Sequence, residues 1–278
     1  MKVDYHIHTS LCGHAKGEMR EYVEAAIEAG IEKMGFSDHT PLYHLPLQLR
    51  DPGLAMDEAQ MAGYVDSVMA LKEEYQGQIQ IALGFEADYI PGYEEELERI
   101  LNLFPVDYIY GSIHFLGDWA FDSPYQRERY KQWDPDTLYD LYFKTLCEAA
   151  KSGFFDILAH PDLIKKFDYW PQGPLEPRWQ RAAEAFKEGG VAIELNSSGW
   201  HREVGQAYPH PSFLEHCFAA GVPATFGSDA HSPGEVGRDW QRAVETLHSA
   251  GYRQIATFTG RSVELVPLGY KPEQSSGE

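Results

Sequence analysis

At 278 residues, with 43% apolar side chains, the chain has the length and the apolar content of an α/β barrel built around a sizeable core. Its formal net charge of −20, with no Lys/Arg cluster to offset it, excludes a stand-alone nucleic-acid binder, because the phosphate backbone would be repelled. Cys12, Cys147 and Cys217 form neither a CxxC pair nor a disulfide framework, which implies reduced thiols in a cytoplasm. Met1-Lys2 leads straight into a strand with no apolar leader, and no run of about 18 apolar residues occurs, so a soluble, cytoplasmic protein with no membrane partner is expected.

The first strand, Val3 to Thr9, carries His6 and His8 two residues apart, so both can reach one metal ion. An amphipathic helix over Met19 to Ala29 stops at Gly30, and the strand Lys33 to Ser37 ends at Asp38-His39. Residues 40–56 have no clear period and read as a loop over one end of the molecule. A long helix from Asp57, its N-cap, to Tyr75 precedes the strand Ile79 to Phe85, which runs into Glu86. The helix Tyr93 to Phe104 leads to the strand Val106 to Tyr110, which ends near His114, and the helix Pro135 to Ser152 leads to Phe155 through His160. A helix ending at Gly189-Gly190, the strand Val191 to Leu195, a helix ending at Gly221, and the strand Pro223 to Phe226 follow. Gly227-Ser228-Asp229-Ala230-His231, a helix over Gly234 to Ala250, and an apolar segment Ile255 to Leu268 complete the pattern.

Helix, glycine and strand recur at Gly30, Gly153, Gly190, Gly221 and Gly251, which predicts parallel βα units, and seven of them predict a closed or nearly closed barrel. Residues 1–270 are expected to form one barrel domain, and the polar stretch 271–278 a frayed tail. Functional groups of such barrels sit at the C-terminal ends of strands. His6, His8, His39, Glu86, His114, His160, Glu194-Leu195-Asn196, Asp229 and His231 all fall there. Imidazoles and carboxylates without a thiolate suit Zn, Fe or Mn, and the number of ligands exceeds what one ion needs. Metal-assisted hydrolysis is the chemistry this suggests, with a carboxylate such as Glu86 able to bridge two ions.

His6-Ile7-His8, His14, Ser37-Asp38-His39, Glu86, Gly111-Ser112-Ile113-His114, His160-Pro161-Asp162-Leu163 and Gly227-Ser228-Asp229-Ala230-His231 together resemble the PHP (polymerase and histidinol phosphatase) family, in the family's order. His114-Phe115-Leu116, Asp162 through Phe167 and Glu194 through Gly199 resemble its histidinol-phosphatase branch. The resemblance implies a distorted (β/α)7 TIM-like barrel and three divalent metal ions. His6, His8, Glu86 and Asp229 would hold the first; Glu86, His114 and His160 the second; His14, His39 and His231 the third. The spacing adds that Asp229 and His231 should share one strand face while Ala230 points away.

The activity so implied is hydrolysis of L-histidinol phosphate, a step of histidine biosynthesis, with a metal-bridging hydroxide as nucleophile. Asp229 would orient or deprotonate that nucleophile, and His231 would assist the leaving alkoxide. Arg202, Lys165 and Lys166 are candidates for the phosphate. Asp122 and Asp162 are candidates for the ammonium or imidazole of the substrate. Asp38 is expected to orient a metal-bound imidazole. His44, His201, His210, His216 and His248 read as packed or solvent-facing. Alternatives are a phosphoesterase of the same family acting on another small phosphate ester or a nucleotide, a metal-dependent amidohydrolase, and a non-catalytic metal-binding module. The amidohydrolase is disfavoured because no Lys stands at a mid-barrel strand end.

Overall fold

Strand β1 (Val3–Ile7) is buried along its whole length, as a strand covered on both faces must be. The computed structural model, which describes residues 1–269, covers it by parallel pairing with its neighbours and by helices outside. The tail expected over residues 271–278 lies outside the described residues. Seven strands follow in sheet order as in chain order: β1, β2 (Lys33–His39), β3 (Gln80–Asp88), β4 (Tyr108–Ser112), β5 (Ile157–Leu158), β6 (Ala192–Asn196) and β7 (Ala224–Gly227). All six pairings are parallel. The seven helices are α1 (Met19–Glu28), α2 (Glu58–Glu74), α3 (Glu94–Leu101), α4 (Pro135–Lys151), α5 (Glu176–Gly189), α6 (Pro211–Ala220) and α7 (Trp240–Ser249).

Local chemistry sets the ends of these elements. Asp57 caps α2 in a reciprocal capping box with Gln60, whose side chain accepts from the Asp57 N–H at 2.7 Å. All five glycines of the expected cadence have positive φ, and Gly190 and Gly221 are left-handed C-caps of α5 and α6.

The barrel closes at one place. Ala230, just past β7, bridges Ile7 in parallel: its N–H donates to the His6 carbonyl at 3.1 Å, and its carbonyl accepts from the His8 N–H at 3.0 Å. Toward the other end of β1 the seam is sealed by the segment expected only as apolar. It is an antiparallel hairpin, β8 (Gln254–Thr259) and β9 (Ser262–Pro267). Its Phe258 packs edge-on against Tyr5, and the Phe258 N–H donates to the Tyr5 hydroxyl at 3.0 Å. The Thr225 hydroxyl donates to the Ala256 carbonyl, and the buried Lys33 ammonium to the Phe258 carbonyl at 2.7 Å. Tyr108 fills the space above Gly35 and Gly84, where an added Cβ would lie 2.2 and 2.4 Å from its ring atoms or hydroxyl.

Pairing of β1 with β2 runs Asp4 to Met34 and then Ile7 to Phe36, so β1 carries one extra residue. This bulge lets the adjacent Tyr5 and His6 pack on the same face of β4: Tyr5 against Tyr108 at 5.1 Å and His6 stacked on Tyr110 at 4.6 Å. Plain alternation would have sent them apart. The last helix is also shorter than expected, beginning at Trp240 after a 3-10 turn at Pro233–Glu235. Residues 235–239 are diverted instead by tertiary bonds: Gly237 N–H donates to the Asp4 carboxylate, the Ser197 hydroxyl donates to the Arg238 carbonyl, and Asp239 has φ 62°.

Among the described residues no helix is long and apolar enough to cross a membrane. Phe258→Ala should lower the unfolding free energy by about 3–5 kcal/mol, the usual cost of emptying a buried aromatic site, as read by urea denaturation. A change under about 1 kcal/mol would show that the hairpin does not seal the barrel.

Candidate metal centre and active site

Register places His39 of β2 beside Glu86 of β3, and Glu86 beside Tyr110 of β4, so the carboxylate points from the middle of the barrel mouth. Glu86 is buried, and its two oxygens face different imidazoles. Oε2 lies 3.1 Å from His6 Nε2, 3.4 Å from His8 Nε2 and 3.2 Å from His39 Nδ1. Oε1 lies 2.9 Å from His160 Nε2 and 3.7 Å from His114 Nε2. One carboxylate thus divides five histidines into two groups.

Asp229 arrives by a route other than strand alternation. β7 ends at Gly227, and Asp229 adopts φ 56°, a left-handed turn that swings its carboxylate back into the mouth. Its Oδ1 sits 3.2 Å from His8 Nε2 and 3.8 Å from His6 Nε2. Its Oδ2 accepts from the Ser198 hydroxyl at 3.1 Å and faces the Asn196 amide at 3.5 Å.

The outer ring nitrogens define what the inner ones can do. Nδ1 of His14 faces the carbonyls of Cys12 and Gly53 at 2.9 and 3.0 Å, and Nδ1 of His231 faces the carbonyl of Asp229 at 3.0 Å. A carbonyl only accepts, so each Nδ1 carries the proton and each Nε2 presents a lone pair. Those two Nε2 atoms lie 3.0 Å apart, close enough to share a proton or to bind one metal ion. His8 is buried with neither ring nitrogen hydrogen-bonded. The groups His8–His39–His231, His6–Glu86–His160 and His6–His8–Asp229 each bring their donor atoms within 4.8 Å of one another, a donor set that fits divalent metal ions.

A PHP domain profile matches residues 4–198. The chain belongs to the PHP domain family. It is 37% identical over 264 residues to a probable histidinol-phosphatase of Deinococcus radiodurans, covering 94% of this chain and 98% of that one. To the histidinol-phosphatase of Bacillus subtilis it is 29% identical, over 88% of this chain and 98% of that one. Its fold superposes with a TM-score of 0.80, at 21% identity, on the histidinol phosphate phosphatase of Lactococcus lactis, solved with zinc, L-histidinol and phosphate; 95% of this chain and 98% of that one are covered.

Around the mouth of this PHP domain the substrate candidates separate. Arg202 is exposed in the turn after β6 and forms no ion pair among the described residues. Lys166 and Asp122 are partly exposed and pair with each other at 3.0 Å. Lys165 departs from expectation. It is fully buried, its ammonium 2.9 Å from Asp162 and 2.8 Å from the Ala207 carbonyl, so it braces two loops and is not open to a phosphate. Asp162 joins the same brace through Oδ2, which also accepts from the His210 N–H at 2.8 Å, while its buried Oδ1 has no hydrogen-bond partner among the described residues. His210 caps α6 and His201 pairs with Asp239 at 2.6 Å, while His44 is buried among Tyr43, Tyr93 and Phe115.

Further residues stand behind the cluster, of which Asp88 has no role read from the sequence. Asp88 accepts from His114 at Nδ1 and at the backbone N–H, both at 3.0 Å. Glu194 lies 2.7 Å from His6 Nδ1. Asp38, expected to orient an imidazole, is 3.5 Å from His8 Nδ1 and also holds the N–H and hydroxyl of Thr9. The Cys12 thiol reaches the His14–His231 pair, its sulfur accepting from the Ala15 N–H.

Burial opposes protonation of His6, His8, His39, His114 and His231, and at His39 and His231 it wins, lowering His231 to about 3. At His8 the carboxylates of Asp229, Asp38 and Glu86 overcome it and raise the pKa to about 9; at His114, Asp88 raises it to about 10. Without metal, therefore, His8 and His114 are protonated at pH 7, and a metal ion must displace those protons to reach the nitrogens. Zinc titration by calorimetry in buffers of different ionisation heat should show net proton release at pH 7, with apparent affinity rising from pH 7 to pH 9. A proton-neutral, pH-independent uptake would mean that the ion binds elsewhere.

Proposed function

We propose that this PHP domain is a metal-dependent phosphomonoesterase that hydrolyses L-histidinol phosphate to L-histidinol and phosphate. The observation that carries the reading is the division of His6, His8 and His39 from His114 and His160 by the two oxygens of Glu86. Full-length similarity to histidinol-phosphatases supplies the substrate.

In this reading His6, His8, Glu86 and Asp229 hold one divalent ion, Glu86, His114 and His160 a second, and His14, His39 and His231 a third; Zn, Fe and Mn all suit these donors. When bound, the ions supply Lewis acidity, polarising the phosphoryl oxygens and lowering the pKa of water toward neutrality. The protein's own contribution is orientation and proton traffic. Asp229, held by Ser198 through Oδ2, keeps Oδ1 toward His6 and His8 and accepts the proton of the attacking water. Neighbouring imidazoles hold its carboxyl, and that of Glu86, well below the usual range against the effect of burial, so both are ionised at neutral pH. His231, at the rim, would assist the leaving alkoxide through the ion it helps to hold, its own Nδ1 proton being given to the Asp229 carbonyl.

Arg202 is the cation open to the phosphate oxygens, with a planar fork suited to them. Asp122 is the carboxylate open to the substrate ammonium. It lies within the field of His114 and His160, and Lys166, together with His114, keeps it ionised against burial. The reaction takes place in the cytoplasm on a small anionic ester, which the acidic surface would repel were the mouth not locally cationic.

A panel of histidinol phosphate, nucleoside monophosphates, a phosphodiester and an aryl phosphate, assayed before and after chelation, tests this. The expected result is a kcat/KM preference for histidinol phosphate that disappears with the metal and returns on its re-addition. Preference for a nucleotide or a diester would overturn the substrate. In the same assay Asp229→Asn should lower kcat by about 10³-fold or more, with circular dichroism unchanged. Near-native turnover would remove Asp229 from the chemistry.

A further inference from the structure

Behind the centre lies a second carboxylate, Glu194, fully buried on β6. Each of its oxygens is occupied. Oε1 is 2.7 Å from His6 Nδ1, while Oε2 accepts from the His160 backbone N–H at 2.6 Å and from the Asn196 amide at 3.1 Å. Space for it exists only because residue 227 is glycine: an added Cβ there would lie 1.9 Å from Oε1 and 2.5 Å from the His6 Cβ. His160 has φ 27°, a backbone state that L residues seldom adopt and that surrounding bonds must hold in place.

We propose that Glu194 is the positioning residue that sets both metal-facing groups at once, and the proposal rests on the metal-centre reading above. Accepting from His6 Nδ1–H, it keeps a proton on that nitrogen and leaves Nε2, 3.1 Å from Glu86 Oε2, as the one nitrogen of the ring that can give up its proton to an ion. Accepting from the His160 N–H, it holds the turn that aims the His160 ring at the other oxygen of Glu86. The two imidazoles belong to opposite sides of the Glu86 bridge, so one carboxylate aligns ligands of two ions. Only a group that accepts everywhere can do this, because all three partners are donors. A glutamine of the same shape must turn its NH₂ either toward His6, forcing the proton onto Nε2, or toward the His160 and Asn196 N–H groups, where donor meets donor. Outer-sphere carboxylates of this kind typically change metal affinity by about 10- to 100-fold.

The test is Glu194→Gln in the full chain, with two readouts that do not depend on turnover. Zinc titration against a competing chelator should show affinity reduced at least about tenfold at two of the three ions, with the ion expected at His14, His39 and His231 retained. Nitrogen-15 spectra of the imidazoles in zinc-loaded wild-type protein should show His6 with its one proton on Nδ1, and the variant should lose that signature. A purely architectural Glu194 would lower the unfolding temperature while leaving zinc affinity per folded molecule and the wild-type tautomer pattern unconnected to it. Unchanged affinity in the folded variant, or a zinc-loaded wild type in which His6 carries its proton on Nε2 and not on Nδ1, overturns the proposal. The wild-type spectrum decides even if the variant does not fold. Should wild-type protein take up no metal, the metal reading fails on its own, and the proposal, which rests on it, falls with it.

Discussion

Two hydrogen bonds, given and taken by Ala230 between His6 and His8, hold the first strand to the last. Everything chemical in the molecule depends on that seam. It puts Asp229 on one side of the bridging residue and His231 on the other, against the two histidines of β1, so the closure of the barrel and the assembly of the cluster are one event. Elsewhere the strands need only end at the same height. Here, two segments more than two hundred residues apart in the chain must meet in a single register, and the bulge in β1 and the left-handed turn at Asp229 are both adjustments to that meeting.

The seam gathers charge that a protein interior does not tolerate unaided. Glu86, Glu194 and Asp38 are buried among imidazoles, and buried carboxylates need opposing charge or a full set of donors. Glu194 has its donors. Glu86 and Asp229 instead face nitrogen lone pairs and imidazolium groups, an arrangement that protons neutralise partly and divalent ions neutralise better. Acidity on the outside and cationic chemistry in the mouth are therefore compatible: the distant surface sets the net charge, and the pocket field belongs to whatever sits between Glu86, Asp229 and the imidazoles.

Much of this was legible in the amino-acid order because two periodicities and a stop signal repeat. Alternating helical and extended stretches, each ended by a glycine that adopts positive φ, announce the seven βα units, and ligating residue types recur where the strands run out. What could not be read has a common cause: it depends on contacts between distant segments. Lys165 beside a ligand-bearing turn has the composition of a phosphate site, and only the packing of the Ala207 loop over it shows a buried brace. Glu194 differs in no local feature from any strand-end acid; its meaning comes from the missing Cβ at Gly227. The hairpin β8–β9 has an alternating apolar pattern, but that pattern cannot say which opening it seals. Asp229 and His231 converge as their spacing suggested, through a turn and not through strand alternation.

The hairpin seal also dictates an order of events during synthesis. Of the barrel's strands, β1 is made first and waits longest: its outer edge has no barrel partner until residues 224–230 emerge, and Tyr5 lacks its Phe258 neighbour until the hairpin follows. For most of the chain's growth the molecule is an open sheet with two exposed edges, the form most prone to pairing with the wrong neighbour. The same long-range closure makes folding slow relative to a protein of local contacts. Metal cannot shorten the wait, because the donors span His6 to His231. The growing barrel therefore carries its ligands unassembled until His231 has been made.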